Sequence, residues 1–159
     1  MENFNFYSPT EFVFGRDREN EVGAYVKKYG GTRVLIHYGG KSALKSGLID
    51  RVKKSLEAEG IGYFELGGVQ PNPKDVKIRE GIELVRKTGV DFILAVGGGS
   101  TIDSSKGIAV GALYDGDFWD FYCRKAEIKR ALPVGVILTI AAAGSEGSGA
   151  SVVTKVEGC

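Results

Sequence analysis

Several residue types are scarce in this chain of 159 residues, which has two cysteines, one histidine and four prolines. Cys123 and Cys159 make neither a disulfide framework nor a metal-ligand pattern. No apolar run approaches the roughly 20 residues of a membrane helix, and Met1 is not followed by the basic-then-apolar run of a signal peptide. The net charge of +1 provides no bulk attraction for nucleic acid or an acidic membrane. We therefore predict a cytoplasmic protein that binds neither.

Glycine, by contrast, is abundant, with 24 residues that cluster at predicted turns. The chain is organised around Asp91–Lys106, where the apolar run Phe92–Val96 predicts a buried parallel strand. Three glycines follow, and then Ser100 as a predicted helix N-cap, with Asp103 in a capping-box-like position. Strand, glycine turn and helix N-terminus together favour a bound phosphate, although a tight turn without a ligand is the alternative. The predicted cradle consists of Gly97, Gly98, Gly99 and Ser100.

Predicted strands alternate with helices of 10 to 15 residues along the rest of the chain. This order predicts an α/β fold, with a Rossmann-like, doubly wound and mostly parallel sheet. The predicted strands are Arg33–His37, Tyr63–Leu66, Phe92–Val96 and Pro133–Thr139, and the helices are Asn20–Tyr29, Ser46–Glu59, Lys74–Thr88 and a segment from Ser100 to about Leu113.

Other predicted features lie near the ends of the chain and in its helices. Alternating Phe4, Phe6, Phe12 and Phe14 predict a small edge hairpin that turns at Pro9. A further strand is predicted at Ser151–Lys155, and a short aromatic helix at Phe118–Tyr122. In the helix Lys74–Thr88, the inward residues are predicted to be Val76, Ile82, Leu84 and Val85.

Four segments with unusual loop chemistry each follow a predicted strand. In a parallel sheet such loops lie beyond the carboxyl ends of the strands, where ligands bind. We therefore expect the four segments to share one rim. They are Gly39–Ser42, Gly67–Pro73, Gly97–Asp103 and Thr139–Glu146.

These motifs resemble those of the iron-containing, or group III, alcohol dehydrogenases, in the butanol dehydrogenase and aldehyde reductase branch. The resemblance covers essentially the whole chain, in the family's order and spacing. It rests on NFNFYSPTEFVFG, YGGKSALKSG, GGVQPNP, AVGGGSTIDSSK and LTIAAAGSE. It implies hydride transfer between a nicotinamide cofactor and a primary alcohol or aldehyde, with a divalent metal, Fe²⁺ or Zn²⁺, polarising the oxygen.

The family's chains are about twice as long, and a second, helical half supplies an Asp and three His for the metal. This sequence has only His37, so we expect residues 1–159 to form the dinucleotide-binding domain alone, without catalytic residues or metal ligands. Such a half is expected to be inactive by itself, to expose an apolar face and to form a homodimer.

The resemblance also assigns roles to individual residues. Gly97 to Ser100 receive the pyrophosphate, and Asp103 lies toward the nicotinamide ribose, unless it is only a carboxylate in the first turn of its helix. Lys106 is either the family's motif lysine or an exposed helix lysine. Thr139 and Ser145 lie near the cofactor, whereas Ala143 stands where the family often has a threonine. Ala141 and Ser148 also depart from the family's common residues.

Gly39, Gly40 and Ser42 are expected beside the adenosine ribose. Because NAD-using members have an aspartate where Gly40 stands, we predict a preference for NADP(H) over NAD(H). Lys41 or Lys45 would neutralise the 2′-phosphate, although both lysines could be merely solvated. Asn72 is expected to contact the base or the ribose, or else only to stabilise its own turn.

Two further expectations concern aromatic residues and a thiol. The cluster around Trp119 is predicted to pack in the core rather than to line a substrate entrance. Cys123 is predicted to be an inert structural thiol.

Two rival functions remain open. One is an enzyme of the related glycerol-dehydrogenase or dehydroquinate-synthase type, which shares the glycine triplet. The other is a non-catalytic nucleotide-binding domain.

Overall fold

A computed structural model describes residue 5 and residues 7–156 of the chain. In this described part, four parallel strands form one sheet in the order β2-β1-β3-β4. The strands are β1 (Arg33–Tyr38), β2 (Gly62–Leu66), β3 (Phe92–Gly97) and β4 (Val134–Leu138). The helices are α1 (Val22–Lys28), α2 (Lys41–Lys45), α3 (Leu48–Ala58), α4 (Asp75–Thr88), α5 (Gly99–Gly111) and α6 (Trp119–Tyr122), with 3-10 turns at Arg18–Glu21 and Ser145–Gly147.

Helices lie on both faces of the sheet, as the doubly wound prediction requires. On β1, Val34 and Ile36 point to one face and Leu35 to the other, because successive side chains of a strand alternate. The first face packs against α1 and α3, and the second against α4 and α5. The central strand β3 is therefore continuously apolar from Phe92 to Val96, and the predicted α/β fold is confirmed.

Helix bounds agree with the sequence predictions to within a few residues, because turn residues mark their ends. Gly89, for example, ends α4 in the left-handed conformation (φ 68°) that glycine adopts without strain. The prediction that Val76 points inward is wrong, since its side chain is 59% exposed. Val76 lies in the first turn of α4, one residue after the buried Asp75, and so projects away from the sheet.

Within the described residues, neither the predicted edge hairpin nor the predicted strand at Ser151–Lys155 is seen. Phe4 and Phe6 lie outside the described residues, and residues 7–14 contain no strand. An isolated pair of strands is marginal without a sheet to extend, and Phe12 and Phe14 are 66% and 101% exposed. At Ser151–Lys155 the backbone makes only a single parallel bridge, between Thr154 and Lys74.

Among the residues that the structure describes, no helix has both the length and the apolar character to cross a membrane.

Candidate functional site

The four predicted loops meet at the carboxyl edge of the sheet. The Gly68 N–H donates to the Gly39 carbonyl at 2.9 Å, which joins the loops after β1 and β2. The Thr139 N–H donates to the Gly97 carbonyl at 3.1 Å, which joins those after β3 and β4. A methyl group built on Gly39 would lie 3.7 Å from Thr101 Oγ1, so the two pairs of loops are also adjacent. The predicted common rim is therefore present.

The glycine turn leads directly into α5, but its N-cap differs from the prediction. Gly98 is the N-cap, in an extended conformation, and its carbonyl accepts from the N–H groups of Thr101 (3.0 Å) and Ile102 (3.2 Å). Ser100 is not the N-cap, because the helix has already begun at Gly99. Its N–H nevertheless lies in the first turn of a 13-residue helix, where the helix dipole favours an anion.

The glycines of this turn serve different physical purposes. A side chain on Gly97 would clash with Thr101, whose Oγ1 lies 2.5 Å from the position of the added carbon. At Gly98 the same carbon would meet nothing within 4 Å. Gly97 is therefore required for packing of the turn on α5, whereas the space beside Gly98 is open to a ligand. A side-chain carbon added to Gly99 would lie 3.8 Å from Ala143 Cβ, so the loop after β4 lies close to the turn.

The loops after β1 and β2 offer a second open region. Gly40 is the N-cap of α2, and a side chain there would also meet nothing within 4 Å. Ser42 is exposed in α2, which begins at Lys41. Asn72, between two prolines, has a left-handed backbone (φ 54°) that asparagine tolerates better than most residues.

Asp103 and Lys106 of α5 are both engaged by the segment after β4. Asp103 accepts from the Ser145 hydroxyl at 2.6 Å and from the Val152 N–H at 3.1 Å. Lys106 Nζ donates to Ser145 and to the Ala150 carbonyl. Burial lowers the pKa of Lys106, against the opposing charges of Asp103 and Glu146. Lys106 is thus half-buried and bonded, and the alternative of an exposed helix lysine is wrong.

The sequence reasoning missed a buried pair beneath the rim. His37 Nδ1 lies 2.7 Å from the Leu66 carbonyl, which can only accept, so Nδ1 carries the proton and Nε2 accepts from the Ser104 hydroxyl at 2.8 Å. Burial lowers the pKa of His37 to about 4, so the ring is neutral at pH 7. This pair ties β1 and β2 to α5. A histidine in a strand predicted to be buried is the available signal, since a buried polar ring requires partners.

The aromatic cluster packs, as predicted, rather than lining an open entrance. Phe118 is buried, and the Trp119 and Tyr122 rings stack with centroids 5.0 Å apart. Cys123, however, is exposed, so the prediction of a structural thiol is wrong. It follows α6 directly, where the chain leaves the cluster.

Comparison with known proteins agrees with this architecture. The family model for iron-containing alcohol dehydrogenase matches residues 9–158. The chain belongs to the iron-containing alcohol dehydrogenase family. It is 46% identical over 157 residues to a probable NADH-dependent butanol dehydrogenase of Bacillus subtilis, with 99% of this chain aligned. It is 37% identical over 158 residues to an NADPH-dependent aldehyde reductase of Escherichia coli, with 98% aligned.

A solved structure gives the same result. The NADH-dependent butanol dehydrogenase A of Thermotoga maritima superposes with a TM-score of 0.95 at 46% identity, and the match covers 98% of this chain and 39% of that one. The two curated relatives are likewise only partly matched, since the chain spans 40% of the length of each.

The iron that gives the family its name does not fit the residues described here. Within residues 7–156, no three His, Cys, Asp or Glu side chains come together as a metal site. His37 is buried, with both ring nitrogens already hydrogen-bonded.

Proposed function

We propose that residues 1–159 are the dinucleotide-binding domain of an NAD(P)-dependent alcohol dehydrogenase or aldehyde reductase. The observation that carries the proposal is the open space beside Gly98, at the N-terminus of α5, on a rim shared by the loops of all four strands. Backbone N–H groups at a helix N-terminus bind phosphate, and the absence of a side chain lets the ligand approach closely.

Each loop has a proposed place along the cofactor. Gly97, Gly98, Gly99 and Ser100 receive the pyrophosphate. The loops after β1 and β2 are joined to each other, and the residues proposed for the adenosine half belong to them: Gly39, Gly40, Lys41, Ser42 and Asn72. Thr139, Ser145 and Asp103 lie toward the nicotinamide.

The preference between the two nicotinamide cofactors is a separate part of the proposal. We favour NADP(H), because Gly40 presents no carboxylate to a ribose 2′-OH and leaves open space for a 2′-phosphate. The names of the relatives include both cofactors, and the relative with the higher identity is named NADH-dependent. Parallel titrations with NAD⁺ and NADP⁺ decide the preference, and tighter binding of NAD⁺ would contradict it.

The bound nicotinamide would supply the hydride chemistry, and the substrate would be a small alcohol or aldehyde, as the relatives' names suggest. A metal, Fe²⁺ or Zn²⁺, would have to be held by residues other than those described. We propose that the 159 residues alone have little or no turnover, that they form a homodimer, and that the protein acts in the cytoplasm.

The test is calorimetric titration of the purified chain with NAD⁺ and NADP⁺, beside Gly98→Ala and a matched control, Gly62→Ala. A methyl group has open space at both positions, so both variants should fold, which thermal unfolding checks. We expect Gly98→Ala to weaken binding about tenfold or more, equivalent to about 1.4 kcal/mol, and Gly62→Ala on β2 to have no effect.

Two results would contradict the proposal. Wild-type protein that binds no dinucleotide at millimolar concentration would exclude a cofactor domain. Equal affinity of Gly98→Ala and wild type would place the phosphates elsewhere. Turnover of butyraldehyde by the 159-residue chain with added Fe²⁺ would contradict only the claim that it is inactive alone.

A further inference from the structure

We infer that Asp103 and Lys106 are positioning residues. They do not touch the dinucleotide themselves, and they act on it by holding Ser145 in place. They hold the segment 139–152 against α5, and this segment stands over the glycine turn. The inference rests on the proposed function and deepens it, because it assigns to α5 a second task besides presenting its N-terminus.

Asp103 has both carboxylate oxygens occupied by the segment after β4. One accepts from the Ser145 hydroxyl at 2.6 Å, and the other from the Val152 N–H at 3.1 Å. Two charge-assisted hydrogen bonds to residues 42 and 49 positions away in the sequence join distant parts of the chain. A carboxylate that is engaged in this way is already satisfied without a ribose hydroxyl.

Lys106 completes the same arrangement one turn further along α5. Its Nζ lies 2.7 Å from the Ser145 carbonyl, 2.9 Å from Ser145 Oγ and 2.7 Å from the Ala150 carbonyl, so its three protons have three acceptors. Ser145 Oγ therefore accepts from Lys106 and donates to Asp103. The hydroxyl is held between a positive and a negative group, which fixes its orientation.

Burial marks Ser145 as the anchor of the segment. Its residue surface is only 7% exposed, whereas residues 140–144 before it and residues 147–150 after it are exposed. Ile140, the largest apolar residue of this stretch, is 68% exposed. The segment thus buries little apolar surface of its own, so hydrogen bonds rather than packing determine where it lies.

The segment is fixed at both ends around the glycine turn. At its start, the Thr139 N–H donates to the Gly97 carbonyl at 3.1 Å. At its end, Ser145, Ala150 and Val152 are bonded to α5. Between these points Ala143 comes within 3.8 Å of a methyl group built on Gly99. Loss of the bonds to α5 would release the part of the segment that stands beside the proposed pyrophosphate.

The test compares Lys106→Met with Lys54→Met, a control in which an exposed lysine of α3 is changed in the same way. Hydrogen–deuterium exchange of the ligand-free chain reports the segment, and titration with the better-bound dinucleotide reports affinity. We expect amides in 140–152 to exchange about tenfold faster in Lys106→Met, and binding to weaken about fivefold or more. The control should match wild type, and exchange in β1 and β3 should not change.

Ser145→Ala is the second variant, for the case that Lys106→Met does not fold. It removes the hydroxyl and leaves both charged groups in place, so it should show the same two changes to a smaller extent.

Three outcomes would overturn the inference while the wild type still binds dinucleotide. Faster exchange with unchanged affinity would mean that the segment does not shape the site. Weaker binding with unchanged exchange would mean that Lys106 contacts the cofactor directly. No change in either would mean that the bonds to α5 hold nothing in place. If the titration shows that the wild type binds no dinucleotide, the proposed function fails first, whereas exchange of the ligand-free chain still reports whether the bonds to α5 hold the segment.

Discussion

Strands β3 and β4 are neighbours with similar apolar sequences, but they occupy different environments. They pair residue by residue from Ile93 and Val134 to Gly97 and Leu138. Phe92 to Val96 are all buried, whereas every residue of β4 is half-buried or exposed in the described structure. The difference arises because β3 lies between two strands and β4 lies at the edge of the described sheet.

The uncovered side of β4 forms part of an apolar groove of about 800 Å³. Helix α1 and residues 9–15 form its other walls. This groove, with the exposed Phe12 and Phe14, agrees with the expectation of an uncovered apolar face. An apolar pattern in a strand thus predicts that its side chains are covered. It does not predict that the described residues cover them.

Replacement of one isoleucine in each strand should give the largest difference between the two strands. We expect Ile93→Ala to lower the free energy of unfolding by about 4 kcal/mol, because a fully buried side chain leaves a cavity. Ile137→Ala should lower it by about 1 kcal/mol, because its side chain is only partly covered. Urea unfolding at pH 7 measures both, and equal losses would show that β4 is as enclosed as β3.

The interior should also respond to pH through His37. Its pKa is lowered to about 4 in the folded protein, so between pH 6.5 and 4 the unfolded state binds more protons. Stability from this group is therefore complete above about pH 6.5 and falls by on the order of 3 kcal/mol as the pH decreases to 4. Urea unfolding across this range should show a smaller loss in His37→Gln. The same slope in both proteins would contradict a buried neutral ring.

One position of β4 should behave like the core. A side chain on Gly135 would lie 2.9 Å from the Phe92 ring, which crosses the strand at this glycine. We expect Gly135→Ala to lower the free energy of unfolding by about 2 kcal/mol, because the ring or the strand must move. Gly62→Ala, on the other edge strand, has open space and serves as the control. A neutral Gly135→Ala would show that the Phe92 ring is free to move aside.

The smallest effect is expected in the segment beside the groove. Phe14→Ser should change the free energy of unfolding by less than about 0.5 kcal/mol, since the side chain is 101% exposed. A loss comparable to that of Ile137→Ala would mean that Phe14 is covered in solution, for example by a second copy of the chain, which analytical ultracentrifugation would detect.

Much of the site could be predicted because its signals are local. Gly97 to Gly99 follow an apolar strand and precede a helix, and parallel strands place such loops on one edge. The N-cap could not be placed, because with three glycines in succession more than one position can begin the helix. The bonds of Asp103 and Lys106 were missed because their partners, Ser145 to Val152, lie some 40 to 50 residues away.

The amino-acid sequence alone specifies where strands alternate with helices, where these elements approximately end, and that a glycine turn precedes a helix N-terminus. These features depend on periodicity and on backbone preferences over a few neighbouring residues. Three features depend instead on the packing of the whole domain: β3 is enclosed while β4 is not, His37 is neutral, and Ser145 lies between Asp103 and Lys106. Burial and hydrogen bonding depend on which distant segments meet, and no local pattern specifies that.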